Sequence, residues 1–466
     1  MTTTIGTGGR GVVAALVPNV TPASSAGQRR RQLAEAYPVL TFEAAWLIHA
    51  VLGPGLPNAY EVESLVRVSR HEGTEAAVRR MERSRRAPGS IRIVTDAVLI
   101  HVHDTATTTL ITGVQRVARE VGVRWSRETD AMLVGWSTSR RRLVRLDAEG
   151  FRARRRTRLS REAVVPWRAR YVLPETVVET SRTLRIHALA AYGGSVTAMI
   201  GHDAIPLTTA ETTGPGMPGA FAKYLAAGSR MQLVAATSGA SATEFGGWRR
   251  MLSSAGLTGP RIQVVGLPVT PLVASRADEA RACTLFTPDD LPLVLCVGSH
   301  EPRKNHVAVL HAAELRWRAG DRFRLLFAGS AGWAGDSALA AIDAARTAGR
   351  DVSSVAGLSD SELAWAYRLA TFTVFPSINE GFGLPVAESL AAGTPVITSS
   401  FGSMAEIAAR GGAVLVDPRD DHAIAAAIGR LLGQPKLLAK LAAQAVAGPP
   451  RDWDDYAREL WQLIVE

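Results

Sequence analysis

Short apolar runs bounded by Gly, Ser or Pro recur along the second half of the chain. Between most of them lie segments whose apolar positions repeat every three or four residues, as in amphipathic helices. Strands that alternate with helices predict a parallel sheet with helices on its faces, so residues 285–445 are predicted to form a Rossmann-like domain. The six predicted strands are residues 291–299, 323–330, 351–357, 372–377, 395–400 and 412–417.

A less regular version of the same alternation precedes this domain and predicts a second doubly wound domain over residues 91–275. One segment departs from it: residues 140–161 contain two alternating runs around the turn signal Asp-Ala-Glu-Gly, which predicts a basic β-hairpin inserted into the domain. The other predicted strands are residues 91–102, 131–136, 196–203, 231–238 and 262–267.

The two ends of the chain have patterns of their own. Residues 1–25 are rich in Thr, Gly, Ser and Pro, which predicts a flexible lead, and residues 28–86 have the spacing of amphipathic helices. Breaks at Pro88 and at Pro449 complete a division into a lead and helical extension (1–90), two Rossmann-like domains (91–275 and 276–448) and a C-terminal helix (449–466). The helices within 28–86 either pack on their own domain or serve an oligomer or a partner.

Composition narrows the classes of partner. The chain has 466 residues with 53 Lys or Arg against 43 Asp or Glu, a formal net charge of +10, which favours phosphate ligands, anionic lipid or nucleic acid. The arginine-rich segment 140–170 contains few aromatic residues, so nucleic acid is the least favoured of the three. A solvated hairpin and a surface for anionic membrane or a polyanionic acceptor both remain open.

Two features of the sequence bear on where the protein works. It has two cysteines, Cys283 and Cys296, outside any framework of paired spacings, which favours a reducing compartment. No stretch reaches the roughly 18 uninterrupted apolar residues of a membrane-spanning helix. We therefore expect a soluble, unprocessed cytoplasmic protein, with the inner face of the membrane as the alternative.

Candidate chemistry lies in the loops that follow predicted strands, where ligands of open α/β sheets bind. Arg303 and Lys304 come directly before a predicted helix, and two adjacent cations there can neutralise a diphosphate. A solvated pair that caps a surface helix is the alternative. After the fourth strand, Glu380 precedes a helix that carries Glu388, and a carboxylate suits sugar hydroxyls. A Glu early in a helix also simply favours the helix dipole.

Two segments resemble the retaining GT-B glycosyltransferases of family 4. They are GSHEPRKNH at residues 298–306 and FPSINEGFGLPVAESLAAGTPVITS at residues 375–399, and the resemblance is strong over residues 285–466. In the first half, residues 112–116 resemble the family's phosphate-facing glycine loop. Residues 202–207 resemble the HDxIPL segment of its mannosyl- and rhamnosyl-type members. Residues 1–90 match nothing in that family.

The resemblance implies an α/β GT-B fold: two Rossmann-like domains facing a cleft, with a C-terminal helix that crosses back onto the N-terminal domain. It also implies roles for particular residues. The donor diphosphate would bind to Arg303, Lys304, Gly113, Gly383 and Leu384, and the donor ribose would bind to Glu388. The donor sugar would contact Glu380, Phe382 and Gly383, and the base would contact Gly357 and Leu358. The residues at the reacting carbon would be Glu380, His202 and Asp203. The family's usual glycine pair is here Ile111-Thr112-Gly113, so the phosphate nest would be less open.

The function expected from this resemblance is a retaining, metal-independent transfer of a hexose. Mannose is the first candidate, from GDP-mannose as substrate, to a hydroxyl of a glycan, a lipid-linked sugar or a secondary metabolite. No cofactor and no metal is expected, since the one Asp-x-Asp sequence, Asp452 to Asp454, is better explained as a helix cap. A nucleotide-sugar epimerase or phosphorylase of the same fold, and an inactive scaffold that recruits partners through residues 1–90, are the alternatives.

Overall fold

The computed structural model describes residues 3–84, 90–108, 112–153, 159–269, 271–286, 290–445 and 451–465. Within these ranges sixteen strands form a ten-stranded first sheet and a six-stranded second sheet. The strands are β1 (Thr3–Thr7), β2 (Ile91–Thr95), β3 (Val98–His101), β4 (Met132–Trp136), β5 (Leu143–Leu146), β6 (Leu159–Pro166), β7 (Arg170–Leu173), β8 (Val196–Gly201), β9 (Leu233–Ala236), β10 (Arg261–Val264), β11 (Leu293–Val297), β12 (Arg324–Ala328), β13 (Val352–Val355), β14 (Phe372–Phe375), β15 (Val396–Ser399) and β16 (Ala413–Val416).

The helices surround both sheets, and we call each sheet with the helices packed on it the N-terminal and the C-terminal domain. The α-helices in the described ranges are α1 (Gly8–Leu16), α2 (Ala26–Ala36), α3 (Phe42–Leu52), α4 (Ala59–Glu72), α5 (Thr74–Ser84), α6 (His103–Thr107), α7 (Gly113–Glu128), α8 (Ala148–Arg152), α9 (Thr180–Tyr192), α10 (Ile205–Thr208), α11 (Met217–Gly228), α12 (Gly239–Ser254), α13 (Glu279–Phe286), α14 (His306–Arg318), α15 (Asp336–Thr347), α16 (Asp360–Leu369), α17 (Leu384–Ala391), α18 (Gly402–Ala408), α19 (Asp421–Gly433), α20 (Pro435–Ala445) and α21 (Trp453–Val465). None of them, within the described residues, has the length and apolar character that crossing a membrane requires.

The second sheet is the parallel sheet that the apolar runs predicted. Its strand order is β13-β12-β11-β14-β15-β16, and every neighbouring pair is parallel. Its central strands are buried along their whole length, as expected where helices cover both faces. The chain order reverses between β11 and β14, so the loops after these two strands flank the crevice where a ligand of such a sheet binds.

The first sheet combines a parallel part with an antiparallel part. Strands β4-β3-β7-β8-β9-β10 are parallel neighbours and direct their carboxyl ends toward one edge. β5 and β6 pair antiparallel, with Leu143 opposite Val164, but they are not an excursion from the domain. β5 also pairs with β4 and β6 with β2, so the basic segment extends the sheet itself.

Two details of that segment differ from the predicted hairpin. Asp147, the first residue of the turn signal, caps α8 by accepting hydrogen bonds from the backbone N–H groups of Glu149 and Gly150, both at 3.1 Å. A short helix therefore stands where a tight turn was predicted, because an Asp side chain caps a helix as readily as it starts a turn. The arginines of residues 154–158 lie outside the described residues.

The single strand predicted over residues 91–102 was wrong. The structure has two strands there, β2 and β3, because Asp96 adopts a left-handed backbone conformation with φ of 51°. Asp tolerates this conformation better than most residues, and it redirects the chain. β2 then pairs with β6, whereas β3 enters the parallel part beside β4 and β7.

The flexible lead predicted over residues 1–25 was also wrong for the part that the structure describes. β1 pairs antiparallel with β2, with Thr3 opposite Thr95, and α1 buries Val12 and Val13 completely. The error has a physical cause: the apolar Val-Val-Ala-Ala-Leu stretch within the lead finds a place in the core, which outweighs the Thr- and Gly-rich residues around it.

The helices predicted in residues 28–86 are present as α2 to α5, and they pack on the first sheet. Their apolar residues share one core with the sheet, in which Trp46 of α3 stacks on Trp167 with ring centroids 6.4 Å apart. These helices therefore form a layer of the N-terminal domain.

The last helix, α21, follows the second sheet in the chain but packs on α7 of the N-terminal domain. The indole N–H of Trp125 donates to the carbonyl of Ala457 at 2.9 Å, and the rings of Trp125 and Trp461 meet edge to face at 5.0 Å. Arg124 pairs with Asp454 at 2.5 Å. The C-terminal segment thus connects the two domains a second time.

Candidate active site

The loops that follow β9 and β14 meet where the two domains face each other. Ser238 and Ser241, at the start of α12, both donate to the carbonyl of Gly381, at 2.7 and 2.9 Å. Asn379 donates to Glu244 of α12 at 3.0 Å. The carboxyl ends of strands from both sheets therefore enclose one seam, and the cleft between the domains is closed along it.

Arg303 and Lys304 lie at the crevice of the second sheet. They belong to a single 3-10 turn, Pro302–Lys304, between β11 and α14, and the turn ends at Asn305 in a left-handed conformation with φ of 62°. The side-chain amide of Asn305 donates to the carbonyl of Pro376 at 3.2 Å, which ties this loop to the loop after β14. The turn thereby aims both cations at the residues that follow β14.

Glu380 holds the two cations together. Its Oε1 lies 2.6 Å from a guanidinium nitrogen of Arg303 and 2.6 Å from Nζ of Lys304, and it accepts a hydrogen bond from Ser377 at 2.7 Å. Arg303 also approaches Glu301 at 3.5 Å, and Nζ of Lys304 lies 4.9 Å from the centre of the Phe375 ring. Two adjacent cations and a carboxylate that follows Lys304 by 76 positions thus form one charged cluster.

The protonation states in this cluster follow from burial and charge. Burial raises the pKa of Glu380, but Arg303 and Lys304 outweigh it and lower that pKa to about 2, so the carboxylate is ionised at neutral pH. Burial lowers the pKa of Lys304, and the negative charge of Glu380 partly restores it. Each cation is preorganised beside a carboxylate that an incoming phosphate can replace as its counter-ion.

Helix α17 begins at this cluster. Gly383 precedes it with φ of 97°, a conformation that favours glycine, and Pro385 occupies the first helical turn. The N-terminal end of α17, at Leu384, carries the partial positive charge of the helix dipole, which favours an anion there. Phe382 packs against apolar residues of both domains. These positions agree with the expected phosphate and sugar contacts, which stay predictions.

Glu388 lies further along α17 and contacts the opposite domain. Its carboxylate pairs with Arg116 of α7 and accepts a hydrogen bond from the hydroxyl of Tyr367 at 3.0 Å. Burial raises the pKa of Glu388, and Arg116 opposes that rise. The residue expected to bind the donor ribose is therefore engaged by a cation of the N-terminal domain.

Gly113 opens α7 and faces α17. A Cβ added to Gly113 would lie 3.6 Å from a methyl group of Leu384, so the N-termini of the two helices approach each other. Thr112 caps α7 in a capping box with Gln115, whose side chain accepts from the Thr112 N–H at 2.9 Å. Ile111 lies outside the described residues.

His202 and Asp203 follow β8 and face the charged cluster. Nε2 of His202 is 2.8 Å from the carbonyl of Pro174, so it carries the proton and leaves Nδ1 as an acceptor. Burial lowers the pKa of His202 to about 4. Burial raises the pKa of Asp203 to about 6, against the opposing charge of Arg303. The N-terminal domain thus presents a neutral imidazole and a readily protonated carboxyl to the seam.

Gly357 and Leu358 follow β13 at the carboxyl edge of the second sheet. Gly357 is exposed with φ of 73°, and Leu358 packs against the apolar cluster that contains Tyr367, the partner of Glu388.

Three residues that contact the site, Arg116, Tyr367 and Ser377, were not predicted from the sequence. Arg116 is the last residue of the segment that resembles the glycine loop, and Ser377 ends a predicted strand, so both positions were in view without an assigned role. No local signal marks Tyr367, because its contact with Glu388 arises from the packing of α16 on α17.

Comparison with known proteins gives these positions a context. Residues 284–447 match the family model described as glycosyl transferases group 1. A D-inositol 3-phosphate glycosyltransferase of Acidothermus cellulolyticus is 36% identical over 224 residues, covering 44% of this chain and 48% of that protein. An O-antigen chain mannosyltransferase B of Escherichia coli is 34% identical over 135 residues, covering 29% and 35%. The chain spans about half the length of the first of these relatives and about a third of the second.

The fold is similar to solved structures over most of the chain. The crystal structure of HepE from Anabaena in complex with UDP and glucose aligns with a TM-score of 0.59 and 12% identity, over 79% of this chain and 99% of that one. The predicted architecture of two Rossmann-like domains that face a cleft, with an N-terminal helical region, is confirmed.

Proposed function

We propose, from the premise that residues 284–447 belong to the group 1 glycosyl transferases, that this chain is a glycosyltransferase that takes its sugar from a nucleotide diphosphate. The observation that carries the proposal is the convergence of Arg303 and Lys304 on Glu380, at the strand ends that flank the crevice. Two buried cations there form a site for a diphosphate.

The donor diphosphate would replace Glu380 as the counter-ion of both cations. Arg303 can bind a phosphate through two parallel N–H groups, and Lys304 supplies a point charge. The N-termini of α17 and α7, at Leu384 and Gly113, add N–H groups and partial positive charge. These groups would stabilise the negative charge that grows on the diphosphate as the sugar leaves. The proposed reaction therefore uses no metal ion.

The proposed reaction proceeds with retention. The bond between the anomeric carbon and the phosphate oxygen breaks, and its electron pair stays on that oxygen. The acceptor hydroxyl attacks the same face of the sugar, and its proton passes to the departing phosphate oxygen. Preorganised donors aimed at such a charge are each worth on the order of 3 kcal/mol of barrier.

The remaining side chains would orient the reactants. Glu388 would accept hydrogen bonds from the ribose hydroxyls, and Glu380, once released from the cations, would accept them from the transferred sugar with Phe382 beside it. His202 and Asp203 approach from the N-terminal domain, where a neutral imidazole and a carboxyl can contact the sugar and the acceptor. The closed seam would exclude water that otherwise hydrolyses the donor.

The transferred sugar is proposed to be a hexose, with mannose as the first candidate and GDP-mannose as its donor. The mannosyltransferase among the relatives supports this choice, and the acceptor is proposed to be a hydroxyl of a glycan, a lipid-linked sugar or a secondary metabolite. HepE binds UDP and glucose, which keeps UDP-glucose among the donors to be tested.

A thermal-shift screen across GDP, UDP, ADP and dTDP sugars tests the proposal. A donor that binds the folded chain stabilises it, by about 2.7 kcal/mol at a hundred times its Kd, so one class of nucleotide should raise the Tm with concentration. The same donor should then release its nucleoside diphosphate when an acceptor is supplied. An inactive scaffold would release none, and an epimerase would return an altered nucleotide sugar.

A further inference from the structure

Arg116 and Glu388 form an ion pair across the seam between the two domains. Glu388 is 8% exposed and Arg116 27%, so the pair is largely shielded from water. The second carboxylate oxygen of Glu388 accepts from the hydroxyl of Tyr367. Both oxygens thus already have a partner, and ribose hydroxyls that approach Glu388 would compete with these partners for it.

The position of Arg116 in the first turn of α7 determines which groups its side chain can reach. It lies three residues after Gly113, on the same face of the helix. Gly113 in turn faces Leu384, the first residue of α17. The guanidinium therefore reaches the region between two helix N-termini, and the ring of Trp453 from α21 lies 5.9 Å from its carbon on another side.

The charges of the crevice leave a diphosphate short of cations. Even after the diphosphate has replaced Glu380 beside the two cations, Arg303 still faces the carboxylates of Glu301 and Asp203. A bound diphosphate adds a negative charge on each phosphate. A further cation is needed to balance these charges in a shielded site, and Arg116 is placed to supply it.

We propose that Arg116 exchanges partners when the donor binds: it pairs with Glu388 in the free protein, and it pairs with the donor diphosphate once the ribose occupies Glu388. The exchange keeps each charge compensated, since Glu388 passes from a cation to hydroxyl donors while the guanidinium passes to a phosphate. Arg116 is in this scheme a positioning residue that couples ribose binding to closure of the N-terminal domain on the phosphates. The inference rests on the proposed function.

The test compares nucleoside with nucleoside diphosphate. GDP, UDP, ADP and dTDP, each with its own nucleoside, are titrated into the full-length wild type and Arg116→Ala, with weak binders measured by competition. Loss of Arg116 relieves the competition for Glu388 but removes a phosphate contact. The ratio of the nucleoside Kd to the diphosphate Kd is therefore expected to fall by about tenfold or more.

Two variants of α7 sharpen the comparison. Arg116→Lys keeps a cation and should recover part of the ratio, whereas Arg127→Ala removes an exposed arginine of the same helix, paired with Glu128, and should leave the ratio unchanged. Should Arg116→Ala fail to fold, Arg116→Gln, which keeps a hydrogen-bond donor for Glu388, is measured against the same criterion.

The outcomes separate the two proposals. A ratio that is the same in Arg116→Ala and the wild type overturns the exchange, and this includes the case in which both ligands tighten equally, because Arg116 would then only block Glu388. A wild type that binds none of the four nucleoside diphosphates overturns the proposed function instead.

Discussion

Lys304 is the residue whose replacement bears most simply on the donor site. Lys304→Ala should lower kcat by about a hundredfold or more, because the loss of one preorganised charge costs on the order of 3 kcal/mol of barrier. The fold should persist, since Arg303 still pairs with Glu380. Release of nucleoside diphosphate measures kcat, and Lys223→Ala, at an exposed lysine near Thr180, is the matched control.

That prediction fails if Lys304→Ala, folded by circular dichroism, turns over at the rate of Lys223→Ala. Arg303 alone would then suffice for the diphosphate, and the paired-cation account of the site would be incorrect.

His202 gives the stability of the protein a calculable dependence on pH. Burial lowers its pKa from 6.5 to about 4, so the folded chain keeps the ring neutral while the unfolded chain protonates it below 6.5. The contribution of the neutral ring to the free energy of unfolding is therefore present above pH 6.5. It is lost as the pH falls toward 4, a change of about 3 kcal/mol. Asp203 acts oppositely, since its raised pKa of about 6 makes the folded state gain stability as it protonates.

Urea unfolding of the wild type and His202→Gln between pH 7 and 4 isolates the histidine, because Gln can still donate to the carbonyl of Pro174. The difference in unfolding free energy between the two should shrink as the pH falls. A constant difference for His202→Gln would mean that the ring is not held neutral.

For individual residues, the sequence predicts which charged side chains follow which strands, but it does not predict which side chains they contact. Arg303, Lys304 and Glu380 could be singled out because charged residues after predicted strands meet at one edge of a parallel sheet. The partner of Glu388 could not be found this way, since Arg116 stands 272 positions earlier and meets it only through the closed arrangement of two domains.

Among the helices, α21 is the one for which the packing predicts most directly how much a substitution lowers the free energy of unfolding. It ends the chain, yet Leu460 and Tyr456 are fully buried against α7 in the core of the N-terminal domain. Leu460→Ala should lower the free energy of unfolding by about 2 to 5 kcal/mol, the usual cost of a cavity at a buried leucine. Urea denaturation measures the loss, and Gln462→Ala, at an exposed position of the same helix, should change it by less than about 0.5 kcal/mol. Equal effects of the two variants would mean that α21 does not dock as described.

The elements of the second sheet were predictable because its central strands are buried along their whole length and its strands are bounded by Gly, Ser or Pro. The first sheet was predictable only in part: four of its parallel strands, β4, β8, β9 and β10, were predicted, but the rest was not, for two physical reasons. A single left-handed residue, Asp96, divides one apolar run into strands that join different parts of the sheet. The apolar stretch at Val12 and Val13 is too short to predict a helix by periodicity, and only tertiary packing fixes it.

At the level of the whole molecule, Gly381 is a point of close contact between the two domains. A Cβ on this residue would lie far inside van der Waals contact with the backbone carbonyl of His202. Because backbone cannot yield as a side chain can, Gly381→Ala should hold the domains apart and reduce kcat strongly, while nucleoside diphosphate should still bind to Arg303 and Lys304 without the contact from Arg116. Turnover and small-angle scattering measure the two consequences.

Gly219→Ala is the control for that substitution, since Gly219 lies in α11 with no atom within 4 Å of an added Cβ. It should leave turnover unchanged and stabilise the helix by up to about 1 kcal/mol. Full turnover in Gly381→Ala would show that the reaction does not need the closed seam.

The central claim is that Arg303 and Lys304 of the C-terminal domain bind the diphosphate of a nucleotide sugar. A crystal structure of the protein grown with the nucleoside diphosphate that stabilises it tests this most directly. The account predicts phosphate oxygens in contact with both side chains, in the place that the Glu380 carboxylate takes in the free protein. A nucleotide bound elsewhere, with Glu380 still between the two cations, would contradict it.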